Sequence, residues 1–177
     1  MVTHEKATGF SLWLVLQEGS KSYQFLSSII GKLAAVYQTF NFEPHVTLLG
    51  SIEGNADEVI AKTRELSKNF SSFSISLKEL GSQDNYFRAF FAYAEQNQVM
   101  AANATAQKIF GMSQDYMPHL SLAYGHFSEE QVLCLRQLAA TTDMNHGSFE
   151  ASNIHVYQTE GTVPEWKLIA VIPLRAK

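Results

Sequence analysis

A short apolar segment of the chain, Pro44-His45-Val46-Thr47-Leu48-Leu49-Gly50, returns 74 positions later as Pro118-His119-Leu120-Ser121-Leu122-Ala123-Tyr124-Gly125. In each occurrence a proline stops the preceding pattern and an apolar run follows, so each reads as a short strand. Helical periodicity lies before and after both strands. Two related halves with their central strands facing each other satisfy this arrangement, which places the chain among α+β folds. Outside the echo the halves show no visible similarity. With 177 residues the chain has the length of one ordinary domain. It can bury roughly two-thirds of its unfolded surface without a disulfide or a metal. No low-complexity linker interrupts it, so residues 1–177 read as a single bilobal domain.

The remaining elements follow from periodicity and caps. Residues 10–16 form a strand pattern, ended by Glu18-Gly19-Ser20. Residues 22–40 carry Phe25, Leu26, Ile29, Ile30, Leu33, Val36 and Tyr37 at helical spacing. Asn55 with Glu58, and Ser128 with Gln131, are capping-box patterns that open two further helices. The second of these has Val132, Leu135, Leu138 and Ala139 as its apolar stripe, with Cys134 read as a small buried hydrophobe. A helix over residues 98–110 stops at Gly111. Residues 73–80, 86–94, 149–158 and 166–174 complete the strands.

Apolar residues at 46% and charged residues at 17% exclude a disordered chain or a coiled coil. The longest apolar stretches are strand-length, well short of the ~18–20 residues that cross a bilayer. The opening Met1-Val2-Thr3-His4-Glu5-Lys6 lacks the pattern of a secretory signal. One cysteine allows no internal disulfide. The expectation is a soluble, cytoplasmic monomer without a membrane partner. Thirteen Lys+Arg against seventeen Asp+Glu, with no basic run, disfavour DNA and long RNA as partners. A small phosphorylated ligand needs only a few aimed donors.

Four His-x-Ser/Thr triplets occur, so the spacing alone carries little weight. His126 lies in a turn whose Ser128 has a capping role, and His146 lies in a loop composition of Asn145, Gly147 and Ser148. Only His45-Val46-Thr47 and His119-Leu120-Ser121 fall in apolar strands after a proline. On a strand, residues i and i+2 share a face about 6.5–7 Å apart. His45 and Thr47 therefore point one way while Val46 and Leu48 point into a core, and the second triplet repeats this. Two imidazoles and two hydroxyls in one cleft suit in-line displacement at phosphorus. One histidine serves as base and one as acid, and the hydroxyls donate to the non-bridging oxygens. The competing readings are two half-buried strand histidines and a metal site. Against the latter, no Asp, Glu or Cys stands at ligand spacing.

The paired motifs resemble the signature of the two-histidine (2H) phosphoesterase superfamily. Phe42-Glu43-Pro44-His45-Val46-Thr47 and Tyr116-Met117-Pro118-His119-Leu120-Ser121-Leu122-Ala123-Tyr124 resemble its cyclic phosphodiesterase branch. The similarity extends to Ser11-Leu12-Trp13, Tyr86-Phe87-Arg88 and the closing Glu165-Trp166-Lys167-Leu168. The resemblance implies a bilobal, pseudo-two-fold fold with two antiparallel sheets lining a central cleft and helices outside. It implies chemistry without metal or cofactor on a small cyclic phosphodiester, either a nucleoside 2′,3′-cyclic phosphate or ADP-ribose 1″,2″-cyclic phosphate. Alternatives are a 2′,5′-RNA phosphodiesterase or ligase-like enzyme, an enzyme trimming short RNA ends, and a non-catalytic nucleotide-binding module.

By this resemblance His45 and His119 match the acid/base pair, and Thr47 and Ser121 the phosphate-binding hydroxyls. His119 is read as activating water and His45 as protonating the leaving ribose oxygen. Trp13 shares strand parity with Ser11 and is expected to flank the cleft and stack on a base. Tyr124 matches an active-site tyrosine, although strict alternation would turn it away from Ser121 unless the strand ends there. Tyr86 and Phe87 point to opposite faces of a regular strand, and Arg88 shares the parity of Tyr86 and is placed to reach phosphate. His155 and Tyr157 read as an ordinary strand face, and Trp166 as packing.

Overall fold

A computed structural model of the chain describes residues 4–95, 97–141 and 143–176. Its elements run in two similar series. The first is β1 (Phe10–Val15), α1 (Lys21–Tyr37), β2 (His45–Ile52), α2 (Ala56–Ser67), β3 (Phe73–Ile75) and β4 (Leu77–Gly81). The second is β5 (Phe90–Ala94), α3 (Asn97–Phe110), β6 (His119–Ala123), α4 (Glu129–Ala140), β7 (Phe149–Ala151) and β8 (Asn153–Gln158). A last strand, β9 (Lys167–Pro173), follows. The echoed strands β2 and β6 hold the same place in each series.

Seven strands form one antiparallel sheet in the order β4-β5-β6-β2-β1-β8-β9, and β3 pairs with β7 apart from it. The series exchange partners: β4 of the first pairs with β5 of the second, and β8 of the second pairs with β1 of the first. The two flanks meet at the centre through a single bridge pair, Val46 with Leu120. The expected two antiparallel sheets are thus the two flanks, joined edge to edge where the echoed motifs lie. Helices α1 and α3 also cross over, packing on β6 and β2 respectively. Alternate residues Val46, Leu48, Leu120 and Leu122 are buried with Leu26, Ile30 and Leu33 of α1 and with Val99, Ala102 and Ala106 of α3. Each large aliphatic side chain so buried is worth roughly 1.5–3 kcal/mol. Their i±1 neighbours must then face away from the helices.

Caps set the helix starts, as expected at Asn55 and Ser128, and also at Ser20, which in the sequence reads as the end of the first strand pattern. Ser20 Oγ accepts from Tyr23 N, Asn55 Oδ1 accepts from Glu58 N, and Ser128 and Gln131 bond reciprocally. Helix α1 stops at Tyr37 because Gln38 takes a left-handed conformation, and Gly111 does the same after α3. Three strand expectations are corrected. Residues 73–80 and 149–158 each break into two strands, at Ser76 and Ser152, with the first piece leaving for the small β3–β7 sheet. Residues 86–94 do not run as one strand. Asn85 Oδ1 accepts from Phe87 N and caps a 3-10 turn over Tyr86–Arg88 before β5 begins. Cys134 is exposed rather than buried, because the inward stripe of α4 runs through Leu135. The side chains of Leu138 and Ala139 lie outside the described residues. No described helix is long and apolar enough to cross a membrane.

Candidate active site

On the sheet face away from the helices, register sets the functional side chains in rows. Trp13 of β1 lies opposite Thr47 of β2, and Tyr157 and His155 of β8 lie opposite Ser11 and Trp13. On the other flank Phe91 and Tyr93 of β5 lie opposite Ser121 and His119 of β6. Antiparallel register about the Val46–Leu120 pair brings the His45 end of β2 against the Ser121 end of β6, and Thr47 against His119. Each imidazole therefore faces the hydroxyl of the other half. Beyond this pair β2 has backbone groups to satisfy. Tyr116 Oη donates to Thr47 O at 2.8 Å and Asn103 Nδ2 donates to Leu48 O at 2.8 Å.

A pocket of about 200 Å³ opens at this junction and is lined by His45, Thr47, His119 and Ser121 together. Both imidazoles are held in the same way. The Nδ1 of His45 lies 2.6 Å from Glu43 O, and the Nδ1 of His119 lies 2.8 Å from Met117 O. A carbonyl oxygen only accepts, so each Nδ1 carries the proton and each Nε2 is left available to the pocket. The accepting carbonyls precede Pro44 and Pro118, which bias those residues toward extended backbone. The second role of the echoed prolines is therefore to shape the histidine anchor.

Electrostatics separate the pair. Burial pulls His45 down to about 4, against the opposing pull of the Glu43 carbonyl and carboxylate. Burial also lowers His119, the Met117 carbonyl opposes this, and the nearby Arg88 guanidinium adds to it. Both rings are thus neutral near pH 7 in the free protein. Among the described residues, Thr47 Oγ1 has no hydrogen-bond partner. Ser121 Oγ donates to Phe87 O at 3.1 Å.

The structure sorts the remaining candidates. Phe87 and Arg88 line the pocket, delivered by the 3-10 turn rather than by strand parity. Tyr124 also lines it, because β6 ends at Ala123 and the next residue is free of alternation. Trp13 lines the pocket but offers no face to a base. One side of its ring stacks on His45 at 3.6 Å and the other on Tyr157 at 3.7 Å, while Nε1 donates to Ser11 Oγ. Tyr86 is buried away from the pocket beside Tyr124 and Val163, with its hydroxyl 3.1 Å from His4 Nδ1. It meets the Phe87 ring edge-on at 4.9 Å and does not line the pocket.

Sequence reasoning missed several residues. Trp166, read as packing, lines the pocket with its ring 5.9 Å from that of Phe87. Gly50 and Ser51 also line it, where a register shift bulges β2 and Ser51 takes φ +55°. The segment before β1 adds Ala7 and Thr8, held by the Ala7–Gly161 bridge. Tyr157 and His155 sit beside the carboxylate of Glu43, at 2.7 Å and 3.7 Å. The aromatic character of Trp166 was the available signal for that residue; the bulge and the bridge left none.

The sequence is similar to known proteins along nearly its whole length. Residues 8–174 match the family described as cyclic phosphodiesterase-like protein. A cyclic phosphodiesterase of Arabidopsis thaliana is 24% identical over 173 residues, covering 93% of this chain and 94% of that one. The crystal structure of TT0787 of Thermus thermophilus matches with a TM-score of 0.60 at 15% identity, covering 96% and 100% of the two chains. That of E. coli LigT complexed with 3′-AMP matches with a TM-score of 0.58 at 13% identity, covering 96% and 99%. These two likenesses establish the fold. With the family match spanning nearly all of it, this chain belongs to the cyclic phosphodiesterase-like protein family and is a phosphodiesterase of the 2H phosphoesterase superfamily.

Proposed function

We propose that the protein opens a small cyclic phosphodiester to a phosphomonoester, using His45 and His119 as the acid/base pair. The substrate class is a nucleoside 2′,3′-cyclic phosphate or ADP-ribose 1″,2″-cyclic phosphate. The observation that carries the reading is the presence of two identically anchored imidazoles, with a hydroxyl from each half, in one pocket of about 200 Å³. Water attacks phosphorus and gives its proton to His119 Nε2. The bond to a ribose oxygen breaks as that oxygen takes the proton from His45 Nε2. A phosphomonoester leaves, and the pair resets by proton exchange with solvent.

The local charges favour this division of roles. Arg88 disfavours the imidazolium at His119, which keeps a base neutral. Glu43 favours the imidazolium at His45, and so does the indole stacked on it. Burial keeps His45 neutral in the free protein, so its proton arrives with the anionic substrate. Thr47, Ser121 and Arg88 are positioned to meet the phosphate oxygens. Phe87 and Trp166 supply aromatic surface at the pocket for a base. The LigT structure with 3′-AMP is a nucleotide complex of this fold, which agrees with a small nucleotide ligand.

The test is a side-by-side assay in EDTA of nucleoside 2′,3′-cyclic phosphates, ADP-ribose 1″,2″-cyclic phosphate and short 2′,5′-linked oligonucleotides, with products identified by phosphorus NMR. Turnover of a cyclic phosphate is expected without added metal and with a bell-shaped pH profile. Turnover confined to the oligonucleotides would move the assignment to RNA ends. Loss of all activity in EDTA would replace imidazole chemistry with metal-assisted chemistry.

A further inference from the structure

His45 belongs to a closed circuit that has no counterpart around His119. Its Nδ1 donates to the main-chain carbonyl of Glu43 at 2.6 Å. The Glu43 side chain accepts from Tyr157 Oη at 2.7 Å. The Tyr157 ring stacks on Trp13 at 3.7 Å, and Trp13 stacks on His45 at 3.6 Å with only 8° between the planes. Four residues from β1, β2, β8 and the loop before β2 thus return to their starting ring. In the second half the residue matching Glu43 is Met117, which has no charge, and the ring beside His119 is Phe91, which meets it edge-on at 5.1 Å. The carboxylate is an addition to one half only.

We propose that Glu43, held by Tyr157, is a positioning residue that sets how readily His45 takes up the proton it delivers. The proposal rests on the acid/base reading above. The Glu43 carboxylate is itself kept charged. Burial alone would raise it, but His155 and the Tyr157 hydroxyl outweigh burial and hold it below the ordinary carboxylate range. The groups facing His45 are Glu43 from its own loop, His119 from β6, and His155 and Tyr157 from β8. Only Glu43 among them is an anion at neutral pH. Arg88 acts on the other imidazole. Glu43 therefore opposes the burial that drives His45 toward its neutral form.

The test is Glu43→Gln, which keeps the main-chain carbonyl and an acceptor for Tyr157 while removing the charge. Ring nitrogen shifts of His45 and His119 are followed by NMR between pH 4 and 8 in saturating inorganic phosphate. The His45 midpoint should fall by about 0.5–1 pH unit while that of His119 stays in place. The alkaline limb of the kcat profile for a cyclic phosphate should fall by the same amount, with KM within about twofold. Tyr157→Phe keeps the stack but frees the carboxylate, and should move the His45 midpoint in the same direction. It should also lower kcat by about 3- to 30-fold. An unmoved His45 midpoint in both variants would overturn the proposal whatever their activity. A shifted midpoint in a protein that turns over no cyclic phosphate would support the circuit and sink the functional reading instead.

Discussion

His45 and His119 occupy matching places in the two series, and each hangs from the carbonyl two residues before it. Around that shared anchor everything differs. His45 is 3% exposed under a stacked indole, with a carboxylate two residues away. His119 is partly exposed, meets a phenyl edge, and has Arg88 nearby. The hydroxyls differ as well: Thr47 Oγ1 is unengaged among the described residues, while Ser121 Oγ is already donating to Phe87 O. The backbone thus supplies the symmetry that the proposed action of two imidazoles on one phosphorus requires. The flanking strands then break it, giving the two rings different electrostatic surroundings.

The largest expected effect tests what the halves share. His45→Ala and His119→Ala should each lower kcat by about 10²–10⁴-fold, measured on a cyclic phosphate at saturation. The hydroxyls should separate the halves. Thr47→Ala should cost about 10–10³-fold in kcat/KM, and Ser121→Ala should sit toward the lower end, since its donor must first leave Phe87. Equal losses would mean that the resting hydrogen bond is irrelevant to the reaction.

Acid stability should single out the first half. A histidine whose folded value lies near 4, against 6.5 when unfolded, binds its proton more readily in the unfolded chain. The associated stability is fully present above about pH 6.5 and drains as pH falls toward 4, by on the order of 3 kcal/mol if the whole shift is realised. Thermal unfolding between pH 7 and 4.5 should therefore show a smaller loss in His45→Gln than in the parent. The smallest effect sharpens the second half. Arg88→Gln should raise KM by about tenfold, the worth of one charge-assisted contact, and should move the His119 midpoint upward.

The paired strands, four helices and the caps at Asn55 and Ser128 were legible because each rests on local chemistry: a proline before an apolar run, a side-chain oxygen three residues before an acceptor, a stripe at helical spacing. The face that carries the candidate site was legible for the same reason, since strand parity alone puts His45 with Thr47 and His119 with Ser121. What escaped depends on a competing local cap or on neighbours that are distant in sequence. The 3-10 turn at Tyr86–Arg88 needed the Asn85 cap to be recognised as competing with strand. The sandwich of Trp13 between His45 and Tyr157 needed the β8–β1 pairing, which joins the far end of the chain to its beginning. Glu43 read as motif context, because only that pairing brings Tyr157 onto its carboxylate.

The most direct test is a double-mutant cycle on single-turnover opening of a nucleoside 2′,3′-cyclic phosphate, comparing His45→Ala, His119→Ala and the two combined. If both rings act on the same phosphorus, the combined variant should fall little further than the worse of the single ones. Single variants that each keep near-parental rates would contradict the account.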